Sequence, residues 1–229
     1  MPSEAKRNVR RIWVPVLLLV LFVGALAALR RYSEIRQERD NELPPQRVDL
    51  MALIELRNDM VRGGWKMDGG ALLSPSEVDA LLQIPYAPPL EYDVEAIIEW
   101  REGDDGFGIG LASGSAQMLA AMDSHGHSIS GLAQIDGKPV DENETTFRGR
   151  VFEKDRPVKV LCAVRLDSVT VKANGSTLIE WKADFRRVSL RSPWEVRSRE
   201  SLFLCSLHGV YRITSLSVMP ITRAGRLLR

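Results

Sequence analysis

Cysteine is nearly absent: two residues, Cys162 and Cys205, serve 229 positions. That excludes a disulfide scaffold and any zinc site built on paired cysteines. Each lies in an apolar run, VKVLCAV and SLFLCSL, which suits a buried thiol packed as a small hydrophobe, although one inter-strand bridge stays open. Histidine is almost as scarce, with three residues. No P-loop, dinucleotide fingerprint or nucleophile elbow occurs. A surplus of one charge is missing too. The 31 cations face 30 acids, and setting aside Lys6, Arg7, Arg10, Arg11 and Glu4 leaves 27 against 29, a formal charge of −2 from residue 12 onward. Such a surface has no field for tracking phosphates, so nucleic acid is not an expected partner.

Charge is also absent from IWVPVLLLVLFVGALAAL, residues 12–29. As a helix this run is about 27 Å long, enough for the hydrocarbon core. KRNVRR precedes it and places the amino terminus in the cytoplasm, with the remainder exported. Ala25-Leu26-Ala27 has the small-x-small form of a signal cleavage site. Leu29 extends the run past it and Arg30-Arg31 follow, which favours an uncleaved anchor. The chain therefore divides into a cytoplasmic tail (1–11), an anchor (12–29), a charged stalk ending in Pro44-Pro45 (30–47), a folded domain (48–221) and a basic tail (222–229). VDLMALIELRNDMV, 48–61, is expected as a short helix with Leu50 and Ile54 on one side. SPSEVDALL offers a second helical turn, with Ser74 as N-cap and Glu77 completing a capping box.

Beyond Gly63-Gly64 the apolar rhythm becomes two. In LEYDVEAIIEW, Tyr92, Val94, Ala96, Ile98 and Trp100 alternate with Glu91, Asp93, Glu95, Ile97 and Glu99, one apolar face against an acidic one. GDDG and Asp136-Gly137 supply turns, and Asn174-Gly175 is the clearest hairpin signal. Short strands about ten residues apart predict an all-β fold: an antiparallel two-sheet β-sandwich of jelly-roll type, preceded by one transmembrane helix and a short helical stalk.

The succession GGWKMDGGALLSP, IPYAPPLEYDVEAIIEW, GFGIGLASG, GLAQIDGK, DENETTFRG, RPVKVLCAVRLDSVTVKANGSTLIEWKADF and YRITSLSVMPI resembles the concanavalin A-like, laminin-G-like sandwich. Within it, the order is most similar to the 3-keto-disaccharide hydrolase-like domain of bacterial membrane-anchored proteins. The resemblance spans residues 48–221 and implies carbohydrate as the ligand class, in many members without catalysis.

Three constellations follow. E-Y-D-V-E is similar to the E-x-D-x-E strand of laminarinase-type retaining glycosidases; the resemblance would make Glu91 nucleophile, Glu95 general acid and Asp93 the residue tuning them. Such a pair must lie about 5–5.5 Å apart, whereas an acidic alternation also arises on any solvated sheet face. Asp123, His125 and His127 could direct one carboxylate and two imidazoles towards a metal, but turn-forming serines and a glycine surround them. In IDGKPVDENETTFRGR, Asp136, Lys138, Asn143 and Arg148 offer the directional donors and acceptors that sugar hydroxyls need. The same loop could gather calcium ligands from Asp136, Asp141, Glu142, Asn143 and Glu144. Trp194, after Ser192-Pro193, is the stacking candidate, while Trp100 and Trp181 fall in core phase. The expected function is binding of a glycan or a cell-envelope protein, without a cofactor; glycoside hydrolysis and a structural envelope module are the alternatives.

Overall fold

Two-residue alternation becomes a pair of antiparallel sheets. The computed structural model describes residues 45–229, which cluster as one unit. The expected tail 1–11, anchor 12–29 and stalk residues 30–44 lie outside the described residues. No helix among the described residues is long and apolar enough to cross a membrane.

In chain order the strands begin with β1 (Val48–Asp49), β2 (Met60–Arg62), β3 (Lys66–Asp68), β4 (Ala71–Leu73), β5 (Ala80–Gln83) and β6 (Tyr86–Ala87). Next come β7 (Tyr92–Gly103), β8 (Phe107–Ser113), β9 (Ala116–Asp123), β10 (Ile129–Leu132), β11 (Gln134–Ile135), β12 (Lys138–Pro139) and β13 (Phe147–Arg148). The last are β14 (Pro157–Val164), β15 (Ser168–Ala173), β16 (Ser176–Lys182), β17 (Phe203–Ser206), β18 (Gly209–Pro220) and β19 (Arg226–Leu227). An eight-stranded sheet runs β16-β15-β14-β7-β18-β4-β3, with β1 also on β18; a seven-stranded sheet runs β13-β10-β9-β8-β17-β5-β2. The chain passes repeatedly between the two sheets, as at β4 to β5, β7 to β8, β13 to β14, β16 to β17 and β17 to β18, which builds the jelly roll.

Between the sheets, Tyr92, Val94, Ala96 and Ile98 of β7 and Val158, Val160, Cys162 and Val164 of β14 meet Phe107, Ile109 and Leu111 of β8 and Met118, Ala120 and Met122 of β9. On β18 the inward set is Tyr211, Ile213, Leu216 and Val218; a bulge between Ile213 and Ser215 resets the phase. Tyr92 ties the layers together: its hydroxyl donates to the Ala112 carbonyl at 2.8 Å and accepts from the Ala112 amide at 2.9 Å. Asn174 and Gly175, at φ 47° and 86°, form the two-residue β15–β16 turn that the sequence indicates.

Both expected helices give way. Val48 pairs with Val218, the Leu50 amide bonds the Leu216 carbonyl, and Met60–Arg62 joins β5, so sheet edges recruit both ends of 48–61. Only a 3₁₀ turn at Met51–Leu53 and one helical turn at Leu56–Asp59 remain between them. Ser74 caps no helix: its hydroxyl donates to the Gly209 carbonyl and accepts from the Tyr211 amide. Nor does 222–229 hang free, since β19 pairs with β6 and Arg229 meets the buried Asp59 at 2.7 Å.

The seven-stranded sheet is apolar on its outer face as well. Leu81, Leu119, Phe203 and Cys205 form a second cluster there, roofed by Leu190, Trp194 and Val196 from the segment 183–201. Gly110 makes room for it: a Cβ on Gly110 would stand 2.0 Å from the Phe203 ring. Cys162 in the central core and Cys205 in this outer cluster are both free, buried thiols, and burial pushes the Cys162 thiol up to about 12. Gly110→Ala is expected to overpack this face and cost about 1–3 kcal/mol. Urea unfolding should show a lower midpoint at unchanged slope; an unaltered midpoint would contradict the packing described.

Candidate functional site

The segment 183–201 acts as a strap across the outer face of the seven-stranded sheet. It leaves β16 at Lys182, where the Ala183 amide bonds the Asp167 carbonyl. Arg187 then fastens it to the β11–β12 hairpin, pairing with Asp136 at 2.7 Å and Glu144 at 3.0 Å. In the middle, a 3₁₀ turn at Ser192–Trp194 drives the Trp194 ring into the outer cluster. Its indole N–H donates to Asp79 at 2.8 Å, and the Arg191 guanidinium stacks 5.2 Å above the ring. At the far end, the Gln83 side chain accepts from the Ser198 amide and the Gln117 amide group donates to the Ser201 carbonyl.

Between the strap and the β8–β9 turn lies an open groove of about 550 Å³. Phe185 is half-buried in its wall and edge-on to Trp181 at 6.2 Å. Ser113 and Ser115 supply hydroxyls, while Ser189, whose hydroxyl donates to Gln134, and the buried Gln117, whose amide holds Ser201, complete the lining. Arg186, Arg199 and Glu195 add exposed charged ends. One aromatic wall beside such groups can stack a polar ring and bond its hydroxyls.

The expected ligand-binding residues lie elsewhere or are already occupied. Arg187 holds the Asp136 carboxyl below its usual range. Asn143 is buried: its amide donates to the Leu132 and Pro139 carbonyls at 2.8 and 2.9 Å, and its oxygen accepts from the Thr145 amide at 3.0 Å. It organises its loop. The exposed Arg148 donates to the Asp141 carbonyl, and Lys138 stands in solvent beside the turn. Trp194 is 8% exposed, so its stacking surface belongs to the outer cluster and to Arg191. Three of the five expected calcium ligands are likewise engaged: Asp136 and Glu144 on Arg187, Glu144 also on the Trp181 indole, and the Asn143 oxygen on Thr145.

Asp123, His125 and His127 do not converge. The fully buried Asp123 carboxylate accepts from the Val151 and Phe152 amides at 2.6 and 2.8 Å, which latches the 150–152 segment. Burial nevertheless raises its pKa, outweighing those two bonds. His127 packs on Trp100 with ring centroids 4.5 Å apart and Nδ1 3.7 Å from Asp123, while His125 faces solvent. Left-handed backbone at His125, Gly126 and His127 separates the two imidazoles. Among the described residues, no group of three or more ligating side chains could hold a metal.

Glu91 sits in the turn before β7, whereas Asp93 and Glu95 project from the outer face of the eight-stranded sheet. Asp93 pairs with Arg165 at 2.8 Å. Glu95 meets Lys159 at 2.8 Å and Arg47 at 2.9 Å, beside a second groove of about 560 Å³ that contains no aromatic side chain. Lys159 first, and then Arg47, hold the Glu95 carboxyl below its ordinary value. A general acid needs the opposite shift.

No family model and no curated protein matches this chain. Among solved structures, the carbohydrate-binding module CBM66 from Bacillus subtilis aligns with a TM-score of 0.52 at 11% identity, covering 70% of this chain and 93% of that one. Crh5 transglycosylase without ligand aligns with a TM-score of 0.51 at 9% identity, covering 80% of this chain and 90% of that one. The same enzyme in complex with NAG gives 0.51 at 10% identity. At these identities the likeness is one of fold: a β-sandwich jelly roll.

Because the folded Glu95 carboxyl ionises below its ordinary value, the stability it lends is complete above the usual glutamate range. That contribution is lost as pH falls through the lowered value. Carboxyl NMR titration should find Glu95 below an ordinary glutamate, and Lys159→Ala should move it upward. A Glu95 that titrates above the ordinary value would restore it as a proton donor.

Proposed function

We propose that this chain is a membrane-anchored, exported module that binds a glycan in the groove between the strap and the β8–β9 turn, without catalysing its cleavage. The observation that carries this reading is the half-buried Phe185 beside serine hydroxyls and charged ends in one open groove. Flat apolar rings take the faces of sugars, and directional polar groups take their hydroxyls. The shared fold with a carbohydrate-binding module supports the ligand class. Kinship to the 3-keto-disaccharide hydrolase-like domain rests on the order of motifs in the sequence. Anchoring and the cytoplasmic amino terminus rest on residues 12–29 and the KRNVRR run before them.

Glycoside cleavage by Glu91 and Glu95 is not favoured. Two cations keep Glu95 ionised, and Glu91 lies off the strand that presents it. A structural role in the envelope would require no groove chemistry.

A glycan array probed with the full chain in detergent, followed by calorimetry on the best ligand, tests the proposal. Phe185→Ala should weaken binding about tenfold, the scale of one aromatic contact, and Glu95→Gln should leave it unchanged. If no glycan binds, or Phe185→Ala binds equally well, the groove is not the site. Glycoside turnover that disappears in Glu95→Gln would establish an enzyme instead.

A further inference from the structure

Four of the seven large apolar side chains that stand in solvent among the described residues gather at one end of the sandwich. Leu166 is 62% exposed, Leu227 48%, Ile221 43% and Leu90 42%. Strand register brings them together. Tyr92, where β7 begins, lies opposite Val164 and Pro220, where β14 and β18 end. Leu90 precedes that start by two residues, Leu166 follows Val164 by two, and Ile221 follows Pro220 directly. The Ile221 amide bonds the Glu91 carbonyl at 3.0 Å. Leu227 lies opposite Tyr86, on the ribbon leading into Leu90. Four separate chain segments thus project aliphatic tips from one end, with the exposed Arg223 beside Ile221.

The chain reaches the sandwich at this same end. Val48 pairs with Val218, so Pro45 to Arg47 run alongside the last residues of β18. Arg47 fixes that approach through Ser217 and Glu95, each at 2.9 Å. Upstream in the sequence stand the uncharged run 12–29 and 15 charge-dense residues, 30–44. Aliphatic tips with a basic flank suit the interfacial layer of a bilayer, and the chain carries its own means of arriving there.

We propose that this end of the sandwich rests on the lipid surface, with Leu90, Leu166, Ile221 and Leu227 in the interfacial layer and Arg223 against lipid phosphate. The inference depends on the reading of residues 12–29 as an anchor. It has a second consequence. The Ala183–Asp167 bond and the β8–β9 turn place the candidate groove at the same end, so its ligand would be met close to the membrane.

The test uses the full chain in vesicles of phosphatidylethanolamine and phosphatidylglycerol. An environment-sensitive fluorophore is attached at Leu166→Cys or, as a control, at Val78→Cys. Cys162 and Cys205 are buried and should not be labelled. Val78 is 60% exposed at the opposite end, where Asp79 bonds Leu207, and Leu207 bonds Gly106 beyond the end of β7. Nitroxide placed high on the lipid acyl chain should quench the Leu166 probe several-fold more than the Val78 probe. Equal quenching overturns the proposal. So does a shielded Leu166 probe without lipid quenching that accompanies a cross-linked dimer, since a second copy would then cover this end. Protein washed from the vesicles at alkaline pH would remove the anchor reading, and this inference with it.

Discussion

A sheet that is apolar on both faces must be covered twice, and the rest of this molecule is arranged around that requirement. The inner face of the seven-stranded sheet is covered by its partner sheet. Its outer face carries Leu81, Leu119, Phe203 and Cys205, with Gly110 leaving the Phe203 ring its space. A patch of this kind left open would invite association. The strap closes it with Trp194, whose one polar atom is satisfied by Asp79. The broad sheet surface is thereby spent on packing, and the accessible concavity moves to the strap's margin, where Phe185 faces the β8–β9 turn.

The layered fold was legible because alternation is a local property. Tyr92 to Ile98, Val158 to Val164 and the Asn174-Gly175 turn each declare their geometry within a few residues. What failed depended on distant partners. The apolar spacing of 48–61 fits a helix in isolation, but unpaired positions on β18 and β5 compete for its ends. Ser74 followed by Glu77 looks like a capping box until Gly209 and Tyr211 claim the hydroxyl. Trp194 looked like an exposed ring because its loop is polar, and nothing nearby in sequence reveals the cluster beneath it. Phe185, flanked by Asp184 and Arg186, was the one available hint of the groove: an aromatic side chain among charges just beyond a strand's end. The resemblance drawn from motif order reached the jelly roll, the level at which structural comparison also stands.

The acidic face of β7 illustrates why one strand cannot assign chemistry. Seen alone, Asp93, Glu95 and Glu99 read as a row of unpartnered carboxylates, two of them in the expected Glu91, Asp93 and Glu95 set. In the sheet each acquires a cation: Arg165 for Asp93, Lys159 and Arg47 for Glu95, Arg101 and Arg212 for Glu99. Arg212 lies directly opposite Glu99, and Lys159 is diagonal to Glu95. The near balance of 31 cations and 30 acids is therefore realised locally as well as in bulk. Such partly exposed pairs add little stability individually; at Glu95 the two cations also hold the carboxyl below its ordinary value.

The strap is gripped at three places: Arg187 near its start, Trp194 at its middle, and the Gln83 and Gln117 side chains at its end. Phe185, Ser189, Glu195 and Arg199 fall between or outside those grips, on the groove wall. Fastening and groove lining are thus assigned largely to different residues within one short segment. A lineage carrying this scaffold could exchange the wall positions and alter the chemistry of that groove while inheriting its architecture unaltered.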